Sequence, residues 1–191
     1  MQIKHSTIEE VLEALRQGKP VLVTDAEDRE NEGDAIIAAE FATPEWLAWM
    51  IRYTSGYICA PMTEARANDL DLPLMYVNTQ DPHHTAYTVS VDAMERESTG
   101  ISAYDRALTG RVLADPKSSA GSLMRPGHVI PLRAKDGGVL ERPGHTEAAV
   151  DLMKLAGLEP VAMMAEMVND DGTMMRGEEL FETSLRFDLP M

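Results

Sequence analysis

The sequence predicts a single α/β (α+β) domain, a mixed β-sheet packed with helices, taking in all of residues 1–191. Three observations predict it. Segments of helical periodicity alternate with short apolar strands along the whole chain. No long linker, internal repeat or low-complexity stretch divides it. The length suits one domain with a proper core. The strands differ in length and character, so a regular doubly wound sheet is not expected. Neither GxGxxG nor GxxxxGK[ST] occurs, which argues against dinucleotide or nucleoside triphosphate binding.

Each element has a local reason. Ser6-Thr7-Ile8-Glu9 reads as a capping box, and Ile8, Val11, Leu12 and Leu15 form the apolar face of a first helix that Gly18 ends. Val21 to Thr24 is a short strand, and Ala35 to Ala39 a buried one. Pro44 after Thr43 opens a second helix carrying Trp46, Trp49, Met50 and Tyr53. Tyr57 to Ala60 reads as a strand and Thr63 to Leu70 as a helix. Tyr87, Val89 and Val91 alternate with Thr88 and Ser90, the half-buried strand pattern. Ser102 caps a helix to about Leu113. Val129 to Leu132 is a strand, and Asp136-Gly137-Gly138 a turn. Thr146 to Ala156 is a helix ended by Gly157. Pro160 to Val168 is an apolar strand interrupted by Glu166. Asp171-Gly172 turns the chain into a last helix near Glu178 to Leu185.

Composition excludes several classes. Hydrophobic residues make up 44%, too many for a disordered chain. No apolar run of about 18 residues is present to span a membrane. No basic segment followed by an apolar one suggests a signal peptide. The single cysteine, Cys59, rules out an internal disulfide and points to a reducing cytoplasm. The 13 methionines read as adaptable core filling. A net charge of -15 repels nucleic acid and anionic membrane. It also repels a phosphorylated substrate, so any phosphate seat must be built locally from Arg, backbone N–H groups or a metal.

Four constellations carry chemistry. Asp25 to Asp34 holds six acids and one arginine within ten residues. Carboxylates this close repel one another, and a divalent cation removes the repulsion. Oxygen-rich ligation suits magnesium or manganese. A solvated acidic loop is the plainer reading, weakened by the two strands that pin it. The spacing does not fit an EF-hand loop. Arg142-Pro143-Gly144-His145-Thr146-Glu147 precedes a helix, whose free N–H groups attract anions. Arg142 and Thr146 add donors there, and His145 can offer imidazole to a metal; a plain helix cap is the alternative. Arg125-Pro126-Gly127-His128 holds a histidine in a stiff, exposed turn, suited to carrying protons or simply a surface turn. Glu166, amid apolar neighbours, reads as a desolvated acid with a raised pKa unless it points to solvent. Cys59 by itself reads as a small buried hydrophobe. His83 and His84 could bind metal but read rather as part of a mobile substrate-side loop, and Ser98-Thr99-Gly100 is a hydroxyl-rich anion candidate.

Taken together these motifs resemble the 3,4-dihydroxy-2-butanone 4-phosphate synthase family. Asp28 to Asp34 resembles its signature, as do Ser98 to Ala103, Arg125 to His128 with Pro131-Leu132-Arg133, Gly144 to Glu147, and Asn169 to Met174. The likeness runs in order along nearly the whole chain. It implies conversion of D-ribulose 5-phosphate to L-3,4-dihydroxy-2-butanone 4-phosphate and formate, through an enediol, loss of water and a skeletal rearrangement. It implies magnesium or manganese, two divalent ions per site, no organic cofactor, and a homodimer with sites near the subunit interface. Nucleic acid and membrane are not expected partners. Glu30 and His145 resemble the family's metal ligands. Arg29, Glu30, Asp34, Thr99, Arg142, Pro143, Gly144, His145 and Thr146 resemble its substrate contacts. His128, Glu166, Cys59, Asp25 and Glu32 resemble its catalytic positions. The family usually continues beyond the position of Met191 with a short strand and helix, a departure that bears on the C-terminal packing and not on the site. A fused GTP cyclohydrolase II domain, present in some relatives, does not fit this length, so a monofunctional form is expected. A sugar-phosphate isomerase or epimerase would use the same enediolate but release no formate. A non-catalytic cation-binding module would need neither His128 nor Glu166.

Overall fold

The computed structural model describes residues 3–191. Six strands form one sheet: β1 (Val21–Thr24), β2 (Gly33–Ala38), β3 (Cys59–Thr63), β4 (Val91–Ala93), β5 (Leu123–Ala134) and β6 (Ala162–Glu166), in the order β1-β2-β6-β3-β5-β4. Among the described residues only β3 and β5 pair in parallel; the remaining pairs are antiparallel. The predicted mixed sheet in a single domain is what the chain forms.

Helices cover both faces. Alternate strand residues point to opposite sides, so β2 sends Ala35 and Ile37 one way and Ile36 and Ala38 the other. The first face packs on α2 (Pro44–Tyr53), α3 (Glu64–Asp69), α4 (Ala103–Ala114) and α6 (Gly177–Phe187). The second packs on α1 (Ile8–Arg16) and α5 (His145–Ala156). Met50, Met62, Met163 and Met167 fill the first core and Met153 and Met164 the second, as core-filling methionines should.

Helix ends follow their caps closely. Thr43, Thr63 and Ser102 each accept a backbone N–H of the first turn, and Gly157 ends α5 in the left-handed conformation. The first capping box is displaced by one residue. Thr7, not Ser6, is the cap, with Glu10 returning the bond. Ser6 instead holds the C-terminal residue: its N–H donates to the Met191 carbonyl and its hydroxyl accepts the Met191 N–H.

Strand boundaries depart further. The strand expected over Tyr57 to Ala60 starts at Cys59 and runs to Thr63. Tyr87 and Thr88 make only isolated bridges, and the regular strand of that stretch is Val91–Ala93. Arg125 to His128, expected as an exposed turn, lies inside the 12-residue β5, with the Arg125–Pro126 bond cis. Gly127 makes this possible. A Cβ there would collide with the Val91 and Asp92 backbone, so only glycine lets β5 lie so close to β4.

Candidate active site

One end of the sheet gathers the chemistry. The end of β1, the start of β2, the end of β6 and the start of β3 meet there, and α5 aims its N-terminus at them. Register places Asp34 opposite Glu166 on neighbouring strands. Alternation puts both on the α1/α5 face, the face of Ile36 and Met164.

Asp25 shapes the acidic loop. Its carboxylate accepts the N–H of Glu30 at 3.0 Å, the N–H of Glu32 at 2.9 Å and Arg29 Nη1 at 2.9 Å. Burial opposes its ionisation, but these donors outweigh burial and hold its pKa below the usual carboxylate range. Asp25 thus anchors the loop, and Glu30 is the carboxylate turned to the cleft. Glu30 Oε2 lies 2.7 Å from Arg29 Nη1 and 3.7 Å from His145 Nδ1. His145, then Arg29, lower its pKa against a burial cost. Arg176, just before α6, ties the loop from outside through the Asn31 carbonyl at 2.7 Å.

His145 is the first residue of α5 and is almost wholly buried. Burial pulls its pKa down, but Glu30, Asp34 and Asp25 pull it up by more. Asp34 is buried as well, 3.5 Å from His145 Nδ1. Burial raises its pKa to about 7, with His145 offsetting only part and Glu166, Glu30 and Glu32 adding to the rise. Glu32 is also raised, by burial and then by Glu30 and Glu166. The sequence left Glu166 as either a desolvated or a solvent-facing acid; the wholly buried acid of the site is Asp34. Glu166 ends its strand half-buried and accepts the Ser55 hydroxyl at 2.6 Å.

The raised pKa of Asp34 makes stability depend on pH. A carboxyl protonated up to about pH 7 in the fold, but only to about 4 in the unfolded chain, stabilises the fold below pH 4. That stability is lost as pH rises through 7. Metal-free protein is therefore expected to lose stability between pH 4 and 8 more steeply than Asp34→Asn. While the folded carboxyl holds its proton and the unfolded one does not, the difference grows by about 1.4 kcal/mol for each pH unit crossed. Parallel urea titrations across that range measure the slopes; equal slopes would place the titrating acid elsewhere.

The donor set fits a cation. His145 Nε2 and Asp34 Oδ1 are buried without a hydrogen-bond partner. One atom each from Asp25, Glu30 and His145 lies within 4.8 Å of the others. Asp25 is engaged by three donors, whereas Glu30 accepts only from Arg29 and His145 Nε2 has no partner, so Glu30 and His145 have the most binding capacity left.

Anion-binding groups adjoin this seat. The first backbone bond of α5 runs from the Ala148 N–H to the Gly144 carbonyl, leaving the N–H groups of His145, Thr146 and Glu147 free at the helix end. A Cβ on Gly144 would run into the Arg142 guanidinium and lie 3.1 Å from Arg29 Nη2, so two guanidinium groups flank that backbone. Arg142 does not extend freely. Buried Glu147 pairs with it, and it donates to the His83 carbonyl and the Thr85 hydroxyl, each at 2.9 Å. The 81–85 loop is therefore pinned over the cleft, with His83 Nε2 3.9 Å from Glu30. The cleft between these walls is about 50 Å³, and Cys59, Tyr87 and Leu132 form its apolar side. Burial, with Glu166 and Asp34 nearby, pushes the Cys59 thiol far up, so it stands neutral. Pro143 is exposed at the rim.

Two predicted residues lie apart. His128 is two residues before Ile130, which pairs with Cys59, itself opposite Met164. His128 thus falls in the row of Glu166 but two strands away, roughly 10 Å at about 4.8 Å per strand. Its ring binds Asp92, and Thr99 lies exposed next to Gly100, which packs on the same Asp92 carboxylate. Asp92, Ser55, Thr85 and Arg176 were not signalled by the sequence. Asp92 stands in an alternating stretch where a polar residue reads as solvent-facing, and the others act through contacts distant in sequence.

One strand-end cleft thus joins a set of donors that fits a cation to a helix N-terminus flanked by two guanidinium groups. The chain belongs to the 3,4-dihydroxy-2-butanone 4-phosphate synthase family, whose model matches residues 9–191. It is 62% identical over 174 residues to riboflavin biosynthesis protein RibBA of Salinispora arenicola, covering 91% of this chain and 41% of that protein. RibBA of Nocardia farcinica is 61% identical over 179 residues, covering 93% and 43%. The chain thus spans less than half the length of the curated relatives it matches. A crystal structure of 3,4-dihydroxy-2-butanone 4-phosphate synthase in complex with two magnesium ions superposes with a TM-score of 0.94 at 47% identity, covering 97% of this chain and 91% of that one. A cation-free form gives 0.91 at 46%, covering 98% and 92%. Among the described residues no helix is long and apolar enough to cross a membrane.

Proposed function

We propose that this protein converts D-ribulose 5-phosphate to L-3,4-dihydroxy-2-butanone 4-phosphate and formate, a precursor step of riboflavin biosynthesis in the cytoplasm. The observation that carries this reading is the meeting of Glu30 and His145, far apart in sequence, beside the flanked N-terminus of α5. Glu30 and His145 would hold magnesium or manganese, two ions per site, with Asp25 fixing the loop that presents Glu30. The bound cation supplies Lewis-acid stabilisation of negative charge on substrate oxygen, worth several kcal/mol. No organic cofactor is needed.

The chain's own groups do the rest. Arg29, Arg142, Thr146 and the α5 N–H groups take the phosphate, and Pro143 and Gly144 shape the approach. Before substrate arrives, the Arg142 donors are held by His83 and Thr85. Phosphate replaces those acceptors, which frees the 81–85 loop and opens the tight cleft. Asp34 and Glu32, with pKa values raised toward neutrality, exchange protons with the carbon skeleton and its hydroxyls. Glu166, held by Ser55, serves the later steps, and the neutral Cys59 lines the reacting end. His128 and Thr99 lie too far along the sheet to share this cleft. A homodimer in which a second copy lends them completes the site, and exposed Tyr57, Met94, Ile101 and Tyr104 offer it an apolar surface. Nucleic acid and membrane have no part in this chemistry.

Formate release from ribulose 5-phosphate, with magnesium and then with excess chelator, tests the reading. Metal-dependent formate is the expected result; folded, metal-loaded protein that yields none would overturn it. The phosphate seat has its own test. Gly144 has an ordinary φ of -113, so Gly144→Ala leaves the backbone unstrained but crowds Arg29 and pushes Arg142 away from buried Glu147. The KM for ribulose 5-phosphate is expected to rise about tenfold or more, or about 1.4 kcal/mol, with a lower Tm because Glu147 loses its partner. An unchanged KM would move the phosphate elsewhere.

A further inference from the structure

The Asp92 carboxylate is 2% exposed, yet both its oxygens serve one residue. Oδ1 accepts the His128 backbone N–H at 2.9 Å, and Oδ2 lies 2.9 Å from His128 Nδ1. Among the described residues it has no other hydrogen-bond partner. A buried carboxylate costs free energy unless it is paired, and here the whole pairing is with His128.

The surroundings enforce this geometry. The β4–β5 register shifts between Val91 and Asp92, an irregularity of the kind that re-aims a side chain. Gly100, at φ +103, lies so close to the Asp92 carboxylate that a Cβ would overlap it. Gly127 lets β5 approach until the His128 N–H reaches Oδ1. Arg106, buried on α4, donates to the Gly56 carbonyl at 3.1 Å, and its charge acts on Asp92. The His128 side chain remains 38% exposed.

We infer that Asp92 is a positioning residue for His128, fixing its ring orientation and its tautomer. An ionised carboxylate only accepts, so the proton of the neutral ring sits on Nδ1 and Nε2 keeps its lone pair facing outward. When Nε2 takes a proton from substrate, the imidazolium forms with its other N–H already on a carboxylate, as in carboxylate–histidine pairs generally. The inference rests on the proposed reaction only for what His128 does, not for the pair itself.

Long-range 1H–15N spectra of the labelled protein read the tautomer directly. The Nδ1–H form of His128 is expected in the wild-type protein and its loss in Asp92→Asn; an Nε2–H ring in the wild type overturns the inference. In formate assays Asp92→Asn is expected to lower kcat about 10²–10⁴-fold with little change in KM. In a His128→Ala background the same change should cost nothing more, because Asp92 acts through the ring. A full further loss in that background would show an independent structural role and sink the idea. Wild-type protein that makes no formate but keeps the Nδ1–H ring would overturn the proposed reaction and leave the pair standing.

Discussion

Glu30→Gln is expected to abolish magnesium-dependent formate release and, with it, the thermal stabilisation expected of magnesium in the wild-type protein. Glu30 is the carboxylate of the 25–34 loop that faces His145, while Asp25 is occupied by the loop's own N–H groups. A neutral amide keeps the shape but removes the charge that attracts a divalent ion. At a hundredfold excess over Kd, a ligand bound only to the native state adds about 2.7 kcal/mol of stability. That gain, read as a Tm shift on adding magnesium, should vanish in the variant. Turnover should fall by at least about 10²-fold, matching the loss of several kcal/mol of charge stabilisation. An undiminished Tm shift would place the cation outside the Glu30–His145 pair.

Glu166→Gln is expected to leave the fold and KM close to wild type and to lower kcat about 10²–10⁴-fold. The amide oxygen can still accept the Ser55 hydroxyl, and the Ser55 N–H to Glu166 carbonyl bond at 2.7 Å is untouched. What disappears is a carboxylate able to trade protons, directly across the strand pair from Asp34. Near-normal formate release would remove Glu166 from the chemistry and leave Asp34 and Glu32 as the acids that matter.

Local chemistry explains why so much of this was legible in the chain. Thr43-Pro44, Thr63 and Ser102 announce helix starts because a side-chain oxygen satisfies first-turn N–H groups wherever it occurs. Gly157 ends α5 for the same local reason. The acidic run signalled a cation because repulsion among nearby carboxylates needs no tertiary structure to be recognised. The resemblance to the synthase family named residues that the fold then gathers: Glu30 with His145, and Asp34 with Glu166.

Long-range contacts decided the remainder. Nothing within Arg125 to His128 reveals that Gly127 lets the chain lie against β4, so a strand reads locally as a turn. Nothing near Arg142 reveals that Thr85 and the His83 carbonyl occupy it. The pKa of Asp34 is raised by desolvation, which depends on which strand end the helix α5 covers. The sequence by itself determined the helix ends at Thr43, Thr63, Ser102 and Gly157 and the crowding of acids over Asp25 to Asp34, since these follow from residues a few positions apart. Only the tertiary structure decided which carboxylate is desolvated, which arginine donors are already engaged, and that Asp92 faces His128. Burial and pairing across a sheet are properties of distant segments brought together, and no local pattern encodes them.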